Sequence, residues 1–212
     1  MRHKIPKDSW TIGLKDTALV VVDMQRAFVD PGALRHCVGA RGLVPKINEL
    51  AHICRRLKIP VIFVKGNRKA DLSDSGLMAD MYPAGVDTEM TSLEGKKGNE
   101  FCSGLVVEEN DYIVHKIRYS ALIPGSSNLE ALLRGLGVNS FMICGVATDV
   151  CVGATTMDGM MLGFKIFLIG DLTATFTEER QRAALETYDN HFAKVITFNE
   201  TLHDLARLEQ EH

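Results

Sequence analysis

Six short runs of mostly β-branched and other apolar residues recur along the chain, at 18–22, 60–64, 112–115, 140–144, 165–169 and 194–197, each closed by a turn or polar residue. None alternates strictly between apolar and polar, which is the pattern of strands buried on both faces of a parallel sheet. Helical periodicity fills most of the gaps between them. Within 43–57, Val44, Ile47, Leu50, Ala51, Cys54 and Leu57 fall on one stripe. Leu129, Leu132, Leu133 and Leu136 form another, with Gly135 and Gly137 as stop signals. Segments 151–162, 178–192 and 200–208 supply three more. Strand and helix in this alternation predict an open, three-layer α/β/α fold.

The chain has 212 residues, 46% of them hydrophobic, enough for one domain with a substantial core. Its formal net charge is −3 with no basic block, so neither a nucleic acid nor an anionic membrane is suggested as partner. The opening MRHKIPKDSWTIGLKD has no apolar signal core, and no apolar run reaches membrane-spanning length. A soluble, cytoplasmic protein is the expectation. Cysteines stand at 37, 54, 102, 144 and 151, an odd number with no CxxC spacing, which argues against a disulfide framework or a zinc knuckle. One stretch, about 66–109, is rich in Gly, Ser, Asp and Pro and only weakly periodic. A connection of that length inside one domain, here read as 1–212, is usually functional.

Three residues carry chemistry. Asp23 ends the first strand in TALVVVDMQRAF, where an open α/β sheet binds its ligands; alone, it also reads as a loop or helix-capping aspartate. Cys151 follows the fourth strand in CGVATDVCVGATT and opens a helix. There the helix dipole and free N–H groups would lower the thiol's pKa and could hold an oxyanion; alone, it also reads as a small apolar filler. Lys116 ends the third strand in DYIVHKIRYSAL and, alone, reads as a solvated lysine. A parallel sheet brings all three to one edge, so a nucleophile, a base and a cation converge. A dinucleotide-binding reading fails, because DMQRAF rather than a Gly-rich turn follows the first strand.

These residues lie in motifs that resemble those of the isochorismatase-like cysteine hydrolases, a superfamily that includes nicotinamidases, N-carbamoylsarcosine amidase, and ureidoacrylate, biuret and triuret hydrolases. The matching segments are LVVVDMQRAF, VHKIRYSAL, GVATDVCVGATTMDG and IFLIGDLTATF, in order and together spanning nearly all of 17–198. The resemblance implies a six-stranded parallel sheet in the order 3-2-1-4-5-6, catalytic residues Asp23, Lys116 and Cys151, and a cis peptide at Val146–Ala147. It further implies an oxyanion hole from the Ala147 and Cys151 N–H groups, no cofactor, and a homo-oligomer, dimer or tetramer. Members that cleave isochorismate lack the cysteine, so its presence here points to amides. Nicotinamidases carry an Asp-x-His and a further His after the second strand, whereas VKGNRKADLSDSGLMADMYP has no histidine and none stands between His52 and His115. A metal site of that kind is not expected. GNRKADLSD resembles the loop of ureide and carbamoyl hydrolases, so the expected partner is a small amide or ureide. The expected reaction is C–N hydrolysis through a cysteine thioester. Rival readings are a metal-free nicotinamidase-like or aliphatic amide deamidase, and a catalytically silent member acting in protein interactions. Candidate substrate-binding residues are Gln25, Phe28, Arg68, Arg118 and Tyr119.

Overall fold

Every residue of TALVVV in the first strand, β1 (Thr17–Val22), is buried. That requires a neighbour on each edge and a layer on each face. In the computed structural model, which describes residues 6–81 and 89–210, β1 has all four. It pairs in parallel with β2 (Val61–Gly66) on one side and β4 (Ser140–Val146) on the other. The full sheet, completed by β3 (Tyr112–Lys116), β5 (Lys165–Ala174) and β6 (Lys194–Ile196), runs β3-β2-β1-β4-β5-β6 and is parallel throughout.

Successive β1 residues face opposite layers. Leu19 and Val21 join a core with Val44, Ile47, Leu50 and Cys54 of helix α2 (Ala40–Arg56) and Leu205 and Leu208 of α6 (Phe198–Gln210), which lies last in the chain. Ala18, Val20 and Val22 join a second core with Leu129 and Leu133 of α3 (Leu129–Gly135), Val152 just ahead of α4 (Gly153–Met161), and Ala184 and Tyr188 of α5 (Glu178–His191). The three expected layers are present, and each fully buried Leu, Val or Ile contributes about 1.5–3 kcal/mol of apolar transfer. Thr177 caps α5 by accepting the Arg180 N–H at 3.2 Å.

Three local features depart from the sequence reading. β3 is not buried on both faces: as an edge strand it leaves Tyr112 and Ile113 exposed, so its apolar run reflects one covered face. A four-residue helix, α1 (Arg26–Val29), follows β1 and is too short for periodicity to reveal. α2 begins three residues earlier than its stripe suggested, behind Gly39 in the left-handed conformation. The irregular stretch at 66–109 contains only two short 3₁₀ turns among its described residues, Gly76–Met81 and Lys97–Asn99; residues 82–88 lie outside the described residues, as do 1–5 of the N-terminal segment.

At the carboxyl ends of β1 and β4 the two strands approach very closely. Gly145 has φ 108°, and a Cβ there would stand 2.1 Å from the Val22 carbonyl oxygen. Only glycine fits both the conformation and the space. Asp23 follows on one strand and the cis peptide Val146–Ala147 on the other.

Candidate active site

Asp23 leaves β1 with φ 50°, a left-handed conformation that Asp and Asn tolerate better than other side chains. Its carboxylate is almost wholly buried (1% exposed), with Oδ1 accepting the Gly66 N–H at 2.9 Å. A clamp fixes that amide. Gln25 Oε1 also accepts the Gly66 N–H, at 2.8 Å, while Gln25 Nε2 and Asn99 Nδ2 both donate to the Gly66 carbonyl, at 3.0 and 2.8 Å. Gln25 Nε2 donates further to the Asn99 carbonyl at 2.9 Å. Oδ2 of Asp23 makes no regular hydrogen bond and instead forms a 2.8 Å ion pair with Lys116 Nζ.

Lys116 comes from the end of β3, two strands away from β1 in the sheet, and its long side chain spans the difference. Nζ lies 3.4 Å from Cys151 Sγ and donates to the Arg118 carbonyl at 3.1 Å. The ammonium is 3% exposed, and an unpaired charge so buried would cost several kcal/mol. Burial alone would lower its pKa, but Asp23 and the thiol together outweigh burial and hold it above the ordinary lysine value.

Cys151 sits in a single π-helical turn, Thr148–Val152, that links β4 to α4. The Val150 and Val152 N–H groups both donate to the Ala147 carbonyl, at 3.0 and 3.1 Å. Downstream, Thr155 Oγ1 donates to the Cys151 carbonyl at 2.8 Å and accepts the Ala121 N–H at 3.1 Å, tying the turn to the segment after β3. The turn cannot bear a side chain at position 153, where a Cβ would meet the Tyr188 hydroxyl at 1.8 Å.

The expectation of a lowered thiol pKa is corrected. Burial, reinforced by Asp23, pushes the Cys151 pKa up to about 12, and Lys116 pulls it down only in part. Desolvation of an anion outweighs the single ammonium. The resting group is therefore a thiol beside a carboxylate that can take its proton. The other four cysteines are buried and free, and burial likewise raises the pKa of each.

A cavity of about 310 Å³ opens over this cluster, lined by Asp23, Lys116 and Cys151 at its base. Of the residues expected at the substrate, Phe28, Arg68, Arg118 and Tyr119 line it. Gln25 does not: it is fully buried, and its amide is engaged by backbone groups on both ends. Its part is to hold Gly66 and, through Gly66, the Asp23 carboxylate. Besides Gly66, which opens the GNRKADLSD segment, sequence reasoning missed Arg35, Met78, Ser92, Val150, Phe176 and Arg180 among the lining residues. Val150 could have been found from its place one residue before the cysteine. Phe176 closes the fourth matching segment, IFLIGDLTATF, and could have been found there, whereas Arg35, Met78, Ser92 and Arg180 lie outside all four segments. Among the described residues, no group of three or more His, Cys, Asp or Glu side chains is arranged to hold a metal ion, and no helix is long and apolar enough to cross a membrane.

A doubly wound parallel sheet with a thiol, a carboxylate and an ammonium meeting where its strand order reverses belongs to the α/β proteins that bind small ligands at the switch point. More particularly, the chain belongs to the isochorismatase family, whose domain model matches residues 17–200. It is 31% identical over 194 residues to a protein of Arabidopsis thaliana named as a probable inactive nicotinamidase, covering 91% of this chain and 97% of that one. It is 27% identical to the ureidoacrylate amidohydrolase RutB of Azorhizobium caulinodans, covering 88% and 89%. A crystal structure of a cysteine hydrolase from Pseudomonas syringae pv. phaseolicola superimposes with a TM-score of 0.86 at 27% identity, covering 94% and 96%.

Proposed function

We propose that this isochorismatase-family hydrolase cleaves the C–N bond of a small non-peptide amide, of ureide or carbamoyl type, through a thioester on Cys151. The observation that carries this is the single ammonium, Lys116 Nζ, within 2.8 Å of Asp23 and 3.4 Å of Cys151 at the base of a cavity.

The chemistry follows from the resting protonation. As Sγ attacks the carbonyl carbon, its proton passes to Asp23, and Lys116 stabilises the sulfur's developing charge. The carbonyl oxygen becomes an oxyanion, which we assign to the Ala147 and Cys151 N–H groups. The C–N bond then breaks as the proton on Asp23 moves to the departing nitrogen, leaving the acyl group on sulfur. A water molecule gives its proton to Asp23 and attacks the thioester; the thiol is regained when that proton returns to sulfur. No step requires a metal, in keeping with the absence of histidine from 53–114. Exhaustive chelation is expected to leave turnover intact. Activity lost on chelation and restored by zinc or manganese would return a nicotinamidase-type reaction to first place.

The ureide class draws support from the likeness to ureidoacrylate amidohydrolase and from the several guanidinium groups on the cavity wall. The likeness to a probable inactive nicotinamidase favours a second reading, a catalytically silent member. Ammonia release across biuret, ureidoacrylate-like and N-carbamoyl substrates, nicotinamide and simple aliphatic amides separates the readings. Ureides should lead. If nicotinamide led by about tenfold in kcat/KM, near 1.4 kcal/mol of transition-state preference, the ureide assignment would be wrong and the thiol assignment would stand. No turnover of any amide would leave the silent reading.

A further inference from the structure

Five cationic side chains line the cavity, Arg35, Arg68, Lys116, Arg118 and Arg180, against one carboxylate, Asp23. Lys116 is paired with that carboxylate, and Arg180 is held by Asp149 while lying over the Phe176 ring. Arg118 is held differently. Its Nη1 donates to two backbone carbonyls, Asp74 at 2.7 Å and Ile117 at 2.9 Å, neither of which carries charge. Its Nε and Nη2 meet no acceptor among the described residues. Those two donors form the side-on edge of the guanidinium, the edge that takes both oxygens of a carboxylate in parallel hydrogen bonds. The 76 segment passes beside that edge. Gly76 stands in the left-handed conformation at φ 55°, and a Cβ there would lie 3.5 Å from Nη2. The Arg118 carbonyl also accepts from Lys116 Nζ, so the segment that carries the guanidinium is tied to the ammonium beside Cys151 Sγ.

We propose that the substrate carries a carboxylate that docks side-on against Nε and Nη2 of Arg118 while its amide carbon faces Cys151. The substrate class is then a short ureido or amido acid rather than a neutral amide. This deepens the amide-hydrolase reading and rests on it.

Two reagents that share a reacting carbon and differ in charge, iodoacetate and iodoacetamide, probe the subsite without turnover. Alkylation of Cys151 is followed by mass spectrometry of its peptide. The iodoacetate-to-iodoacetamide rate ratio is expected to exceed that of free cysteine by about tenfold or more, the scale of one charge-assisted contact. Arg118→Gln should bring the ratio close to that of free cysteine and leave the iodoacetamide rate within about twofold, while Arg118→Lys, which keeps charge without the fork, should fall between. A wild-type ratio no higher than that of free cysteine overturns the proposal. So does an equal loss with both reagents in the folded variants, the mark of an arginine that only holds the Asp74 segment. Turnover supplies a second arm. N-carbamoylglycine should exceed its methyl ester by about tenfold in kcat/KM, with the Arg118→Gln loss falling on KM for the acid alone. Equal use of acid and ester overturns the carboxylate subsite but not the hydrolase. Hydrolysis of neither, nor of any other amide, overturns the hydrolase reading, and the alkylation ratio then decides the subsite.

Discussion

The base of the cavity and its upper wall are built in different ways. Asp23 and Lys116 are strand-end residues and Cys151 belongs to the turn directly behind β4; all three are buried, and each is held by packing or by short hydrogen bonds to neighbouring strand ends. The connection from β2 to β3 supplies Arg68, Met78 and Ser92 from irregular backbone, with Met78 in a 3₁₀ turn that buries none of its residues. On the proposed mechanism, the sheet holds the reacting groups where a displacement of a fraction of an ångström would matter, and an irregular connection shapes what may enter.

Substitutions can break this contrast. Cys151→Ser should reduce kcat to below about 1% of wild type with binding retained, because the hydroxyl is a far weaker nucleophile. Steady-state turnover and equilibrium binding of one good substrate decide it, and appreciable turnover removes Cys151 from its role. Gly145→Ala should cost about 3 kcal/mol or more of stability, since the new methyl meets the Val22 carbonyl at 2.1 Å and the backbone conformation disfavours it. Denaturant melts that match wild type would mean that the strand ends are not rigid.

A finer pair concerns the thiol's titration. Asp23 raises the Cys151 pKa and Lys116 lowers it, so removing each should move the pH midpoint of iodoacetamide alkylation in opposite directions. Asp23→Asn moves it down, and Lys116→Met moves it up. Asp23→Asn should lose about a hundredfold or more in kcat even though its thiol ionises more readily, which isolates proton transfer from thiolate supply. A variant that gained turnover along with thiolate would show that Asp23 is not the base. The smallest effect is expected from the loop. Met78→Ala should raise KM about threefold and leave kcat unchanged, and an equal fall in kcat would place the connection among the reacting groups.

The sheet was legible because four of its strands are buried deeply enough to read as continuous apolar runs, and the resemblance supplied their order. Asp23, Lys116 and Cys151 were legible because strand ends are marked by where those runs stop. Gln25 was misread because a polar residue two places after Asp23 looks the same in sequence whether its amide faces a ligand or a carbonyl. The thiol's pKa was misjudged for a related reason: helix polarity is visible in sequence, but the desolvation that overrides it depends on what closes over the sulfur. Arg35, Met78, and Phe176 together with Arg180 come from three separate segments, and only folding brings them to one cavity.

The left-handed backbone at Asp23 has a consequence for how this site can change over generations. Aspartate and asparagine share that conformation and nearly the same shape, so exchanging one for the other removes the base and leaves the strand end, the Gly66 contact and the core in place. What the exchange does remove is the charge opposite the buried Lys116 ammonium, so a chain that lost the proposed base in this way would keep its backbone and give up stability on the scale of an unpaired buried charge. On the proposed mechanism, an intact fold would therefore say little about activity, and the pairing of the residue that closes β1 with the ammonium beside it would say more.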